Sequence, residues 1–399
     1  MESAGNIEGR IMLYGRITGW GKALPDKIVT NADLEKMVDT SDEWIVTRTG
    51  IRERRIAPEG VNTSTLSVQA GQAALEKAGL IAADLDLIIV ASSSPDHLLP
   101  AVSSEIQHQL GAHCGAFTLV AGCTGFVYGL VTAQQFITTG AYRTILVIGA
   151  EVISRNVDWT DRNTCVLFGD GAGAVVVQAC EEQTGLLAFE LGSDGGGAEH
   201  LMMPMGIAHP ATHETIDKKY QYIRMNGREV FKFATRTLAR SAAETIGRSG
   251  LSTHDIDLMI PHQANARIIE LAARQLGLPM EKVFVNIDKY GNTSAASIPI
   301  ALTEAIEAGR VKEGDHLVLV GFGAGLTWAS AVVQFGLAEK KVTTGWLAAP
   351  ARTVRAAQNK ISVAARTAGL RASLMLTPLS TRVSRKQRPV DNGNGQQPK

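Results

Sequence analysis

Cysteine is scarce in this 399-residue chain. The four present, Cys114, Cys123, Cys165 and Cys180, fall at irregular spacings, and none forms a Cys-x-x-Cys pair. That argues against a disulfide framework and against a zinc site, so no metal is expected. A reducing compartment, the cytoplasm, is the simplest setting. No run approaches the ~18–20 apolar residues that cross a bilayer, so no transmembrane segment is expected. The first ten residues lack a basic start followed by an apolar core, and no signal peptide is read there. The 39 basic and 39 acidic residues cancel, so the average charge gives no sign of a nucleic-acid partner.

The neutral total hides an uneven distribution. Residues 338–399 carry twelve Lys/Arg against two acids, Glu339 and Asp391, a net of +10, which leaves −10 on residues 1–337. Periodicity fades in that tail, and it ends in the low-complexity run DNGNGQQPK. A disordered, solvated tail is expected. A basic segment docking an acidic partner or membrane surface, and an out-of-frame product of a GC-rich gene, also fit its composition.

Over the whole chain, 45% hydrophobic and 20% charged residues fit a globular protein, and forty glycines imply many tight turns and close backbone approaches. Apolar strand-like runs at 85–91, 117–122, 144–149, 174–177, 256–260, 283–287, 316–321 and 330–335 alternate with helical patterns at 103–110, 123–139, 265–276 and 297–308. That alternation implies an α/β architecture with a mostly parallel sheet. The halves echo each other. DLDL at 84–87 and DIDL at 255–258 each follow a helix ending in glycine, and GDGAG at 169–173 and GFGAG at 321–325 each precede a closing strand. A duplicated unit is expected, with halves at 11–183 and 184–337.

Chemistry is concentrated in three segments. Cys123 lies in Ala-Gly-Cys-Thr-Gly-Phe, between a strand and a helix. A helix N-terminus favours negative charge and lowers a thiol's pKa, and the thiolate is the nucleophile. His262, in Pro-His-Gln-Ala-Asn, follows the run 256–260, and Asn292, in Gly-Asn-Thr-Ser-Ala-Ala-Ser, follows the run 283–287. Each is thereby expected near the C-terminal end of a strand, where α/β folds place ligands. A single His or Asn is more often structural, but three such groups in equivalent positions point to one site. Papain-type thiol proteases use the same residue types, yet their C-G-[SA]-C-[WY] signature is absent.

These segments resemble β-ketoacyl-acyl carrier protein synthase III, the condensing enzyme that starts fatty acid synthesis. The likeness covers about residues 11–337 and rests on 17–31 (ITGWGKALPDKIVTN), 41–54 (SDEWIVTRTGIRER), 168–174 (FGDGAGA), 262–265 (HQAN), 291–297 (GNTSAAS) and 321–328 (GFGAGLTW). FGDGAGA alone is a loose nucleotide-loop pattern and implies no NAD. The resemblance implies a homodimeric thiolase fold of duplicated βαβαβαββ halves layered α-β-α-β-α. It implies no bound cofactor, with acyl-CoA as substrate. Cys123 would be acylated and would then be attacked by the carbanion left when malonyl-acyl carrier protein loses CO₂. His262 and Asn292 would donate to the thioester oxygen, and backbone N–H groups of Cys123 and Ala324 would form a second oxyanion hole.

Further positions carry over from the family. Trp44, Arg48 and Arg162 are the implied CoA contacts, with Trp44 and Arg162 sandwiching the adenine and Asn265 on the pantetheine arm. Carrier-protein docking falls to Arg267 with its neighbours Gln263, Ala264, Asn265 and Ala266, extended by Arg228 and Lys232. Leu99, in a loop that crosses the family's dimer interface, would gate the acyl pocket. An aromatic there restricts the family to short chains, so leucine implies acetyl with some tolerance for branched or longer starters. A degradative thiolase would need a second Cys base, absent from both motifs; hydroxymethylglutaryl-CoA synthase would need a Glu base, for which Glu151 is a candidate by location alone. A starter-unit synthase of polyketide or other secondary metabolism keeps the same Cys/His/Asn set and is the nearest alternative. A non-catalytic dimerising partner would be expected to lose a member of that set.

Overall fold

The computed structural model describes residues 12–336. The basic tail 338–399 lies outside the described residues. Nine strands form two sheets. The first sheet contains β1 (Tyr14–Ala23), β2 (Leu87–Ala91), β3 (Gly115–Leu119), β4 (Thr144–Glu151) and β5 (Gly171–Cys180), in the order β1-β5-β4-β2-β3. The second contains β6 (Gly185–Ser193), β7 (Leu258–Pro261), β8 (His316–Gly323) and β9 (Thr327–Gln334), in the order β7-β8-β9-β6.

Strand alternation sends successive side chains to opposite faces, and here both faces are apolar. In β2, Leu87 and Ile89 point to one core and Ile88 and Val90 to another. In β8, Leu317 and Leu319 join the first core, while Val318 and Val320 join a third. The shared core holds helix α4 (Gly125–Thr138), through Phe126, Val127 and Leu130, and helix α7 (Ser297–Glu307), through Ile298 and Leu302. The outer face of the first sheet is covered by α2 (Thr63–Ala78) and α3 (Val102–Leu110). The outer face of the second is covered by α5 (Gly227–Arg248) and α6 (Ala266–Leu276). The layering is α-β-α-β-α, the thiolase fold.

Two sequence expectations are corrected. The sheets are mixed rather than mostly parallel: β4–β2, β2–β3 and β7–β8 are parallel and the other four pairings are antiparallel. A tight turn joins β8 to β9, and so short a link permits only an antiparallel return. Residues 283–287 are not a strand either. Val283 makes one isolated bridge to Met259, after which the Gln263 side chain accepts the Asn286 N–H at 3.1 Å and the chain turns into a short helix, Ile287–Tyr290. Near Cys123, β3 stops at Leu119 and α4 starts at Gly125, with a 3-10 turn Gly122–Thr124 between them.

Two glycines set how closely α7 and the residues just before it approach the first sheet. Gly149 in β4 and Gly173 in β5 are register partners. A Cβ at Gly149 would meet the Ala295 carbonyl oxygen at 2.3 Å, and one at Gly173 would meet Ile300 N and Pro299 Cβ at 2.7 Å. Gly149→Ala should therefore cost at least about 1–3 kcal/mol of stability, since backbone must move to admit the methyl. Gly195→Ala, where no atom lies within 4 Å, should stay within about 0.5 kcal/mol of the parent. Urea denaturation of both variants checks this; equal stabilities would contradict the packing argument.

Candidate active site

Cys123 occupies the 3-10 turn between β3 and α4. The preceding Gly122 has φ +54°, a left-handed conformation, and a Cβ there would come within 3.0 Å of Ala324 N. A Cβ at Gly323 would reach Cys123 N at 2.7 Å. The turn that joins β8 to β9 is thus pressed directly against the cysteine backbone. The thiol faces a cavity of about 110 Å³ whose lining includes Ser294, Ala324, Phe168, Ile153, Ile223 and Met202.

Burial, not the helix terminus, dominates the thiol. It is pushed up to about 12 by desolvation, aided by the charge of nearby Glu151 and opposed by a hydrogen bond from the Ser294 side chain. The lowered pKa expected from the sequence is therefore not a property of this buried site, where the thiol is protonated.

His262 directly follows β7. Its N–H donates to Val320 O at 2.8 Å, and its ring packs edge-on to Phe322 at 5.5 Å. Nδ1 lies 2.6 Å from Ser297 Oγ, and Nε2 is buried with no partner among the described residues. Ser297 Oγ also accepts the Gln263 N–H at 3.5 Å, and we assign its own hydrogen to Nδ1. Nε2 then carries the ring proton, an assignment made from this hydrogen-bond network. Burial holds the imidazole down to about 3, so it is neutral at pH 7.

Asn292 follows the short helix Ile287–Tyr290 rather than a strand. Its backbone bridges β5's approach segment: Asn292 N donates to Leu167 O at 2.8 Å and its carbonyl accepts from Gly169 N at 3.1 Å. Oδ1 accepts from Ser294 N at 2.8 Å, which leaves the amide NH₂ as the free donor. The single stretch 292–297 thus touches all three groups. Asn292 belongs to it, Ser294 lines the cavity beside Cys123, and Ser297 bonds His262. The roles of Ser294, Ser297 and Glu151 were not read from the sequence; GNTSAAS shows three hydroxyls without showing where they point.

The other predicted residues divide. Arg48 and Arg162 lie over the Trp44 ring of α1 (Asp42–Thr49), at 4.9 and 5.3 Å from its centroid. An adenine between Trp44 and Arg162 is excluded in this arrangement, because the guanidinium already sits on the ring. Asn265 caps α6: Oδ1 accepts from Arg267 N at 3.0 Å and Nδ2 donates to Arg48 O at 2.9 Å. Its amide is therefore committed to structure. Gln263 is corrected as a docking residue. It is 1% exposed and its side chain is consumed by Pro261 O, Phe284 O and Asn286 N. Ala264 and Ala266 are partly buried. Arg267 is exposed and lies over Phe231 of α5 at 5.5 Å, near exposed Arg228 and Lys232 of the same helix. Lys232 pairs with Glu229 at 2.7 Å. Leu99 is 87% exposed and does not line the cavity. Among the described residues no cluster of three or more His, Cys, Asp and Glu could hold a metal, and no helix is long and apolar enough to cross a membrane.

Two mixed sheets around a paired helical layer, with a thiol, an imidazole and an amide drawn to one buried centre, define a condensing enzyme of the thiolase fold. Residues 117–195 match the family model for 3-oxoacyl-[acyl-carrier-protein (ACP)] synthase III, and residues 246–335 match the model for its C-terminal part. The chain is 54% identical over 324 residues to a β-ketoacyl-[acyl-carrier-protein] synthase III of Roseiflexus sp. (strain RS-1), covering 81% of this chain and 98% of that protein. A homologue so named from Caldanaerobacter subterraneus subsp. tengcongensis is 55% identical over 80% of this chain and 97% of its own. The crystal structure of 3-oxoacyl-[acyl-carrier-protein] synthase III from Aquifex aeolicus VF5 superposes with a TM-score of 0.75 at 48% identity, covering 80% of this chain and all of that one. The chain belongs to the β-ketoacyl-acyl carrier protein synthase III family.

The buried imidazole has a linked stability. A solvated histidine takes its proton near pH 6.5, and folded His262 only near 3. Unfolding then takes up about one proton in that window, so this contribution is complete above pH 6.5 and lost as pH falls toward 3. His262→Gln should flatten the slope of unfolding free energy against pH by about one proton between pH 4 and 6. An unchanged slope in urea titrations would contradict a neutral buried ring.

Proposed function

We propose that Cys123 carries the acyl group in the condensation that defines this family. The reaction joins a short acyl-CoA, acetyl-CoA in the first instance, to malonyl-acyl carrier protein with loss of CO₂. It yields a 3-oxoacyl-acyl carrier protein and initiates fatty acid synthesis. The observation that carries the assignment of roles is the 292–297 stretch, which ties thiol, imidazole and amide to one backbone segment.

In acylation the Cys123 sulfur attacks the acyl carbonyl carbon, and CoA departs as the C–S bond to it breaks. The oxygen that becomes negative is held by the N–H groups of Cys123 and Ala324, whose segments pack without side-chain atoms between them. In the second half-reaction the malonyl C–C bond to carboxylate breaks, CO₂ leaves, and the electron pair delocalises onto the thioester oxygen. His262 Nε2–H and the Asn292 NH₂ donate to that oxygen. A neutral imidazole suits this task, because it donates a hydrogen bond without surrendering its proton. The carbanion then attacks the acyl-Cys123 carbonyl and expels the cysteine sulfur.

The surroundings support substrate and partner assignments. Trp44, Arg48 and Arg162 form a CoA site that opens when Arg162 leaves the ring. Arg228, Lys232 and Arg267 present positive charge for an acidic carrier protein. The outer edge of β3 has no strand partner among the described residues, and Leu98, Leu99 and Val120 beside it are exposed, which supports a homodimer. In that dimer the partner subunit's Leu99 would close the acyl cavity. The halves 11–183 and 184–337 are read as the duplicated units, and the cytoplasm as the site of action. The structural similarity to the priming β-ketosynthase of the R1128 polyketide pathway, 33% identical with a TM-score of 0.77 over 83% of this chain and 99% of that one, keeps a secondary-metabolic starter synthase as the alternative reading.

Two measurements test this. Mass spectrometry of Cys123 after acetyl-CoA, alongside CO₂ release from malonyl-acyl carrier protein, separates the half-reactions. Cys123→Ser should end acylation; His262→Ala and Asn292→Ala should slow CO₂ release about 10²–10³-fold while sparing acylation. Equal loss in both half-reactions would contradict the roles. In the same assay, branched short acyl-CoAs should compete with acetyl-CoA, and strict acetyl preference would remove the role given to Leu99. Separately, Arg267→Glu should raise the carrier-protein KM with little change in kcat, and the effect should fade as salt rises; a salt-independent loss would contradict docking.

A further inference from the structure

The mechanism above leaves one step without an agent: something must take the thiol proton before sulfur can attack. His262 is badly placed for it. Its Nε2 already carries a proton and its Nδ1 lone pair is occupied by Ser297. Protonating it would also create a buried cation beside a new thiolate, two charges where there were none.

A second buried acid lies behind the thiol. Glu151, at the C-terminal end of β4, is 0% exposed, and no ion pair to it occurs among the described residues. Its carboxylate is held by donors alone: Ser93 N at 3.1 and 3.2 Å, Ser92 Oγ at 3.4 Å, Ser94 Oγ, and Ser294 Oγ at 3.1 Å. An unpaired buried carboxylate is costly and is not needed to fill space. Ser294, whose hydroxyl donates to Glu151 and which lines the same cavity as the Cys123 thiol, stands at φ +50°, a left-handed conformation that a non-glycine residue adopts at a cost. A strained serine that bonds a buried carboxylate at the wall of the cavity the cysteine faces is placed to relay a proton.

We propose that Glu151 accepts the Cys123 proton through the Ser294 hydroxyl during acylation. This rests on the reading of Cys123 as the nucleophile. The S–H bond breaks as its proton passes to Ser294 Oγ, and the serine's original proton passes to Glu151 Oε1. The sulfur becomes thiolate and the carboxylate becomes carboxylic acid, so one buried negative charge moves and none is created. As CoA departs, the proton returns by the same hydroxyl to the leaving sulfur. Both states of Glu151 are satisfied, because serine hydroxyls rotate between donating and accepting. Burial also raises the affinity of Glu151 for a proton, in the direction the transfer requires. The titratable group facing Glu151 is the Cys123 thiol. Asp170, just before β5, is turned to Ala57 N, Ser154 N and Ser154 Oγ, and His262, just after β7, is turned to Ser297.

The test has an unusual sign. If Glu151 acts only through its charge, removing that charge should ease ionisation of the thiol and speed its reactions. If it is the proton acceptor, removal should slow them. Alkylation of Cys123 by iodoacetamide in the full-length protein, followed by peptide mass spectrometry to separate it from Cys114, Cys165 and Cys180, reads this without reference to any acyl substrate. Glu151→Gln should slow alkylation at pH 7 about 10²-fold and make the rate climb tenfold per pH unit. The parent should show a plateau. Ser294→Ala, which keeps the carboxylate and cuts the link, should behave alike, and the double variant should be no slower than either. It also serves where Glu151→Gln fails to fold. Alkylation as fast as the parent's or faster in either variant, or an unchanged pH profile, would overturn the relay. So would equal loss of acylation and of CO₂ release by acyl-enzyme. Slowed alkylation in a protein that acetyl-CoA fails to acylate would instead overturn the functional reading and leave the relay standing.

Discussion

Six residues, 292–297, hold the reaction centre together. Asn292 is fixed by backbone bonds to Leu167 and Gly169 and by its own Oδ1 on Ser294 N. Ser294 bonds Glu151 and lines the cavity beside the thiol, and Ser297 reaches His262. The segment can lie where it does because Gly149 and Gly173 have no Cβ, so Ala295, Pro299 and Ile300 rest on strand backbone. A methyl at either glycine displaces the segment. The chemistry thus depends on a sheet-to-helix contact closer than any side chain permits.

Burial then sets the proton states. A dry pocket keeps the imidazole neutral, which suits a hydrogen-bond donor, and keeps the thiol protonated, which does not suit a nucleophile. The same desolvation therefore helps one half-reaction and hinders the other. The proposed relay to a buried carboxylate behind a serine resolves the conflict, since it lets the thiol ionise without adding charge to the interior. In the mechanism proposed, His262 and Glu151 divide the work: one steadies the enolate oxygen, the other stores a proton.

Much of this was legible in the sequence, for physical reasons. Strands buried on both faces read as the unbroken apolar runs 87–91 and 316–321, and helices α4 and α7 showed their periodicity. Cys123, His262 and Asn292 stood out because each follows such an element within a glycine-rich turn. What the sequence hid was set by contacts distant in the chain. Residues 283–287 are as apolar as a strand, but a buried glutamine from another segment captures the Asn286 N–H. Gln263 sits in a motif that faces a cavity, yet its own side chain turns inward. The thiol's helix-terminal address suggested a thiolate, whereas its pKa answers to desolvation, a property of the whole fold. Ser297 looks like any helix-opening serine until His262 is found above it.

The central claim, that this segment presents His262 as a neutral Nε2–H donor, is tested most directly by ¹⁵N NMR of the imidazole in the unliganded enzyme at pH 7. The account predicts a neutral ring protonated at Nε2, shifting to the other tautomer or to a mixture in Ser297→Ala. A ring protonated at Nδ1, or an imidazolium, in the parent protein would contradict it.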